Sequence, residues 1–293
     1  MTQVIVTAPA KLNLALDVVG LLPNGYHELD MIMQAVALYE RVTIKRADQI
    51  QLFCQNPIVP LNEKNTAYKA AALFFAHTGI KGGAHITIEK NIPIQAGMAG
   101  GSADAAAVLV GLNVLYGAAL SLSQLCELGV QIGADVPFSL VGGTARVRGI
   151  GEKIEPLPTP NPSAWPIVVA MPGRGVSTPQ AFARYDELGG GVHPDCAAMA
   201  YALRRGNMAQ VCSLMGNSLQ ATGSAENTED ICAVLRSHGA LAAMMTGSGA
   251  AVFGIFDGEQ EAQQAQNQLA KEYRFAVVTH FINCGTKIAA IKE

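Results

Sequence analysis

The sequence predicts an α+β protein of two domains, and three observations carry that reading. Its 293 residues are long for a single hydrophobic core. Strand-like runs alternate with helix-like runs in both halves, and a strand follows the final helix. Near the middle, Pro156, Pro158, Pro160 and Pro162 place four prolines in seven residues, a natural linker. The division expected from that linker is 1–157 and 158–293.

The elements follow in order from local patterning. From Lys11 to Val18 the period is two, with Leu12, Leu14, Leu16 and Val18 on the core face and Lys11, Asn13 and Asp17 on the other. Pro23, Asn24 and Gly25 form a turn signal that delivers Tyr26 and His27 to the next segment. Strands are expected over 31–38, 41–46, 50–54 and 84–89, with a helix over 65–77 capped by Asn65. The uncharged run from Ala105 to Cys126 reads as a buried core helix rather than a membrane span, because Gly111, Asn113, Gly117, Ser121, Ser123 and Gln124 interrupt it. Thr144 to Arg148 and the segment at Ile154 precede the linker. Beyond it come a strand over 167–171, helices over 179–185, 195–204, 208–214 and 227–237, and two strands flanking Thr246 to Gly249. A polar helix over 258–271, whose glutamines read as a solvated face, leads to a strand over 275–281.

Composition narrows the function. Half the residues are hydrophobic and 15% are charged, and 20 Lys+Arg against 23 Asp+Glu leave a net charge of −3. Disorder and charge-driven nucleic-acid binding are excluded on those numbers. The cysteines at 54, 126, 196, 212, 232 and 284 form no CxxC and have no histidine at zinc-ligand spacing, which disfavours structural zinc and a disulfide framework. The first residues resemble neither a secretion signal nor a transit peptide, so a cytoplasmic enzyme with reduced thiols and no membrane partner is expected.

The sharpest chemical feature runs from Pro93 through Ile94, Gln95, Ala96, Gly97, Met98, Ala99, Gly100, Gly101 and Ser102 to Ala103, passing from a strand into an apolar helix that should begin near Ser102. Glycines let backbone N–H groups converge, and a helix N-terminus adds unpaired donors and partial positive charge, which together suit a polyphosphate. The alternative is a glycine-rich turn with Ser102 as an ordinary N-cap. The loop is neither a Walker A motif nor a dinucleotide fingerprint. Thr246-Gly-Ser-Gly249 runs into a strand, so alone it reads as a tight hairpin. Asp135 alone could be the N-cap of a short helix with Pro137 in its first turn. Lys11 could be a snorkelling surface lysine, and Tyr26 and His27 could be a half-buried pair or a stacking and hydrogen-bonding surface.

Taken together in order and spacing, Pro9-Ala-Lys-Leu-Asn-Leu14, Pro23-Asn-Gly-Tyr-His27, the loop at 93–107, Gly133-Ala-Asp-Val-Pro137 and Thr246-Gly-Ser-Gly249 resemble the GHMP small-molecule kinases. Within them, the Asn-Gly-Tyr-His and Gly-Ala-Asp-Val-Pro elements are similar to the branch that phosphorylates the 2-hydroxyl of CDP-linked methylerythritol in the non-mevalonate isoprenoid pathway. The resemblance implies an N-terminal ribosomal-protein-like βαβ domain, with a left-handed crossover, that binds ATP and carries catalysis. It also implies a ferredoxin-like C-terminal domain that completes the substrate site. By the same resemblance Asp135 is the general base and Lys11 the cation holding it and the reacting oxygen. Asn13 orients substrate, Tyr26 and His27 recognise cytosine, and Thr178 and Phe182 close the substrate site. The loop from Pro93 to Ala103 cradles the phosphates of ATP, with Asn65 and Lys90 beside the adenosine. Mg²⁺ is expected to be bound chiefly through the nucleotide, with Ser102 and Asp104 as candidate contacts. The chain departs from the family at Asn24, where Asp is frequent, and at Met98 and Ala99, where Leu and Gly are frequent.

Overall fold

The computed structural model describes residues 2–161, 164–223 and 225–293, so Pro162 of the expected linker lies outside the described residues. Two long antiparallel strands, β1 (Gln3–Leu21) and β2 (His27–Ala47), form the spine of the first sheet. They meet at the expected turn: Gly25 has φ +83° and donates its N–H to Leu22 O at 2.9 Å, while Asn24 Oδ1 accepts from Tyr26 N at 3.1 Å. The two strands expected over 31–38 and 41–46 are one. Pairing jumps from Pro9 opposite Tyr39 to Ala10 opposite Val36, and this bulge breaks the sequence alternation without ending the strand.

A second register shift, between Asn13 and Ala15, corrects the expectation that four apolar residues of β1 share one core. Leu12 and Leu14 pack with Ala15 under the helices, whereas Leu16 and Val18 join Met31, Met33 and Phe138 in a separate cluster. The second half of β2 pairs with β4 (Gly83–Glu89), which runs parallel to β3 (Gln51–Cys54). Its first half pairs with β5 (Thr144–Gly149), itself paired with β6 (Lys153–Leu157).

Helix α1 (Thr66–Thr78) starts as expected, with Asn65 Oδ1 accepting from Ala67 N at 2.8 Å. Helix α2 (Gly100–Tyr116) begins two residues before Ser102, its N-cap being the left-handed Ala99 at φ +58°, so Ser102 is not the cap. It is apolar on nearly every side, as suits a helix buried at the centre of a domain. The uncharged run therefore does not form one helix. Gly117, at φ +64°, ends α2, and a capping box between Ser121 and Gln124 starts α3 (Leu122–Ile132). The short α4 (Val136–Val141) follows. Among the described residues no helix is long and apolar enough to cross a membrane.

The second sheet contains β7 (Pro166–Met171), β9 (Ala242–Met245), β10 (Val252–Ile255) and β11 (Phe275–His280) in the antiparallel order β11-β7-β10-β9. Helices α8 (Thr228–Ser237) and α9 (Glu259–Leu269) cover one face through Ile231, Leu235, Ala262 and Leu269. That βαββαβ order is ferredoxin-like; Gln260, Gln263 and Gln264 of α9 are exposed as expected, whereas Gln266 is half-buried and donates from Nε2 to Ala276 O at 2.8 Å. Between β7 and α8 lie α5 (Thr178–Leu188), α6 (Cys196–Arg204) and α7 (Met208–Ser213).

Two short strands escape sequence reading. β8 (Gly216–Asn217) pairs parallel with β1, and β12 (Lys287–Lys292) pairs antiparallel with β1, so the C-terminal segment returns to the first sheet. On the way back it passes over Gly142. A Cβ at Gly142, whose φ is +65°, would stand 2.1 Å from Gly285 N and 2.2 Å from the Cys284 carbonyl. Gly142→Ala is expected to destabilise the protein by about 2 kcal/mol or more, measured by urea denaturation. A loss below about 0.5 kcal/mol would contradict this close passage.

Candidate functional site

The loop between β4 and α2 turns by left-handed residues at Gln95, Gly97 and Ala99, with φ of +56°, +72° and +58°. Its carbonyls are taken by neighbours. Gln95 O accepts from Val176 N at 3.1 Å and Ala250 N at 3.2 Å, Ala96 O from Ala251 N at 3.1 Å, and Met98 O from Lys11 N at 3.2 Å. By contrast, the backbone N–H groups of Gly97, Met98, Ala99, Gly100 and Gly101 donate to none of the described residues. A row of unpaired donors at the start of a 17-residue buried helix is an anion-binding surface. Gly97 cannot be anything larger, because its Cβ would lie 2.1 Å from Thr246 O. The Thr246–Gly249 turn is the expected hairpin between β9 and β10, and it also buttresses this loop.

The loop forms one wall of a cleft of about 880 Å³. All the sequence-predicted site residues line it except Ala103, which is fully buried in α2. Lys11 is buried on β1 and donates from Nζ to Asn13 Oδ1 at 2.6 Å, while Asn13 N donates to Thr246 Oγ1 at 3.0 Å. Burial lowers the pKa of Lys11 below the usual lysine range, and the charge of Asp135 partly counteracts this. Asp135 occupies the N-cap position of α4 but makes no side-chain capping bond, so the plain capping reading does not hold. It makes no ion pair among the described residues, and it acts on Lys11 through space.

At the opposite end His27, whose side chain is 11% exposed, stacks on Phe182 with ring centroids 4.7 Å apart and an interplanar angle of 22°. Its Nε2 lies 2.8 Å from Asp186 Oδ1. Tyr26 is exposed beside it, and Thr178 Oγ1 contacts Ser248 Oγ at 2.9 Å. Phe182, Tyr185 and Asp186 share one face of α5, so a helix beyond the linker completes a wall begun by the first hairpin.

The two residues expected beside the adenosine have their polar groups engaged by protein. Asn65 caps α1 and donates from Nδ2 to Pro60 O at 2.8 Å. Lys90 Nζ sits under the start of α2, 2.7 Å from Asp104 Oδ2 and 2.5 Å from Glu40 Oε1. Burial, reinforced by the like charge of Glu40, pushes the Asp104 carboxyl up to about 7 against the pull of Lys90. Asp104 Oδ1 has no hydrogen-bond partner among the described residues. Sequence reasoning missed Glu40 and Asp186, and named Thr246 only as part of its turn. Glu40 carried a signal, a lone acid in the apolar run of β2. Among the described residues no group of three or more His, Cys, Asp or Glu side chains could hold a metal ion.

Comparison with known proteins adds the following. The GHMP kinases N terminal domain matches residues 65–143, and the GHMP kinases C terminal domain matches residues 199–274. The chain is 42% identical over 273 residues to a 4-diphosphocytidyl-2-C-methyl-D-erythritol kinase of Geobacillus sp. (strain WCH70), covering 91% of this chain and 93% of that one. It is 40% identical over 281 residues to the enzyme of the same name from Clostridium tetani, covering 94% and 99%. A crystal structure of 4-(cytidine 5'-diphospho)-2C-methyl-D-erythritol kinase superposes with a TM-score of 0.77 at 34% identity, covering 94% of this chain and 98% of that one. Homoserine kinase from Cytophaga hutchinsonii superposes with a TM-score of 0.78 at 18% identity, covering 98% of each chain, which is likeness of fold alone.

The buried triad has a pH signature. A carboxyl raised from 3.8 to about 7 binds more protons folded than unfolded, so its stabilising contribution is complete below 3.8 and lost as pH rises through about 7. The stability of the wild type relative to Asp104→Asn should therefore fall between pH 4 and 7, measured by thermal denaturation of both proteins across that range. A difference independent of pH would contradict the proton held at this cluster.

Proposed function

The chain belongs to the GHMP kinase family, and on that premise we propose that it transfers the γ-phosphoryl group of ATP to the 2-hydroxyl of 4-diphosphocytidyl-2-C-methyl-D-erythritol, a step toward isoprenoid precursors. The observation that carries this reading is one cleft with an unpaired row of N–H groups on one wall, Lys11 and Asp135 beside it, and the stacked His27 and Phe182 at its far end.

In this reading the triphosphate lies on the N–H groups of the loop from Gly97 to Gly101, where the positive end of α2 meets its charge. Asp135, free of any cap, accepts the proton of the attacking hydroxyl. The oxygen forms its bond to the γ-phosphorus as the bond to the β-phosphate oxygen breaks, and ADP leaves. Lys11, positioned by Asn13, offsets the charge gathering on the transferred group. Tyr26, His27 and Phe182 hold the cytosine, and Thr178 helps close the site. Asn65 and Lys90 support the adenosine end by fixing the starts of α1 and α2.

Mg²⁺ suits the donor set if the nucleotide supplies most of its ligands, since this ion commonly keeps waters and binds through phosphates with one or two protein oxygens. Ser102 is the side chain that would contact it, because Lys90 engages Asp104. Bound there, it would neutralise phosphate charge. The working division is 1–157 for ATP and catalysis and 158–293 for completing the substrate site, in a cytoplasmic setting that keeps the six unpaired cysteines reduced.

The test is ADP release from ATP and Mg²⁺ with the CDP-linked methylerythritol, free methylerythritol, mevalonate and homoserine offered in parallel. Turnover should require the CDP-linked compound. Turnover with another acceptor would retain the kinase and overturn the substrate. Asp135→Ala should lower kcat by roughly 10²-fold or more with little change in the KM for ATP, and a fully active variant would remove Asp135 from the role of base.

A further inference from the structure

Asp186 is assigned no role by the family motifs above, yet it makes the polar contact that orients His27. The carboxylate of Asp186 can only accept, so at 2.8 Å the hydrogen between them belongs to His27 Nε2. In the neutral ring this leaves Nδ1 with its lone pair, and Nδ1 bonds to none of the described residues. The plane of the ring is fixed as well. Phe182 stacks on it at 4.7 Å, and Tyr185 meets it edge-on at 6.4 Å and 89°. All three side chains come from one face of α5, at spacings of three and four residues that bring them together.

We propose that Asp186 is a specificity-determining positioning residue, which holds His27 in the tautomer whose Nδ1 accepts, so that the cleft favours a base bearing an exocyclic amino group over one bearing a carbonyl there. The inference rests on the nucleobase end assigned above. Cytosine presents an amino donor at that position of its ring, and uracil presents an oxygen acceptor. A fixed acceptor on the protein attracts the first and repels the second, so discrimination arises as much from repulsion of the wrong base as from attraction of the right one. Without Asp186 the imidazole can exchange its proton between the two nitrogens and meet either base. The same link explains why recognition needs both halves of the chain: His27 stands at the start of β2, and the carboxylate reaches it from beyond the linker.

The experiment measures CDP and UDP as competitive inhibitors against the CDP-linked substrate, for the wild type, Asp186→Ala, Asp186→Asn and His27→Ala. The wild type should prefer CDP. Asp186→Ala should shrink that preference about three- to tenfold, the range for one partly exposed charge-assisted hydrogen bond. Asp186→Asn should shrink it too, because a carboxamide can either accept from Nε2 or donate to it. Asp186 is 52% exposed at the side chain, so these variants should fold, and a KM for ATP within about twofold of the wild type would verify it. If Asp186→Ala keeps the full preference while His27→Ala loses it, His27 acts without Asp186 and the proposal is overturned. If His27→Ala also keeps the preference, the nucleobase assignment itself fails and takes the proposal with it.

Discussion

Gln95 offers one carbonyl oxygen to two N–H groups from distant parts of the chain, Val176 and Ala250, and Ala96 receives a third from Ala251. On the other side of the loop, Met98 accepts from Lys11 N. These four bonds decide which way the loop faces. Once its carbonyls are committed outward to β1, to Val176 and to the 246–251 turn, its N–H groups are left without partners among the described residues at the start of α2. A buried unpaired donor is costly, which is why such a row is tolerated where a ligand or water can meet it. The same constraint excludes a side chain at Gly97 and sets the distance between the loop and Lys11. The facing of this loop is thus a consequence of backbone pairing with segments far away in the chain.

Charge burial is the second theme, and it is handled in two ways. Lys90 lies between two buried carboxylates, Glu40 and Asp104, which cannot both ionise cheaply so close together. That cluster ties β2, the end of β4 and α2 together beside the loop at 95–101. Lys11 is instead buried with a neutral partner, Asn13, and with Asp135 nearby but not paired. In the first arrangement the ammonium is engaged by two carboxylates of the protein. The second leaves the Asp135 carboxylate without an ion-pair partner among the described residues, in the lining of the cleft.

Much of this was legible in sequence, because the informative signals were local. The Asn65 cap, the Asn24-Gly25 turn and the hairpin at Thr246 follow from side-chain chemistry within a few residues. The glycine-rich loop was readable as a tight turn into a buried helix, but not the exact start of α2, since a left-handed Ala99 is not a recognisable cap. The bulges of β1 and β2 were not legible, because they depend on which residues stand opposite one another. The same holds for β12, whose exposed residues carry no strong alternation and which exists only because β1 offers an unpaired edge. The partners of Lys90 were not legible for a related reason: only folding brings Glu40, fifty residues upstream, and Asp104, on the buried face of the next helix, to the same ammonium.

The most direct measurement of the central claim is a crystal structure of the protein with a non-hydrolysable ATP analogue and the CDP-linked methylerythritol. The account predicts the triphosphate on the N–H groups of Gly97 to Gly101 and the acceptor hydroxyl between Asp135 and the γ-phosphate. It also predicts that the bonds from Val176, Ala250 and Ala251 to the loop remain intact. A triphosphate bound elsewhere in the cleft, or a loop that parts from the 246–251 turn to admit it, would contradict the account.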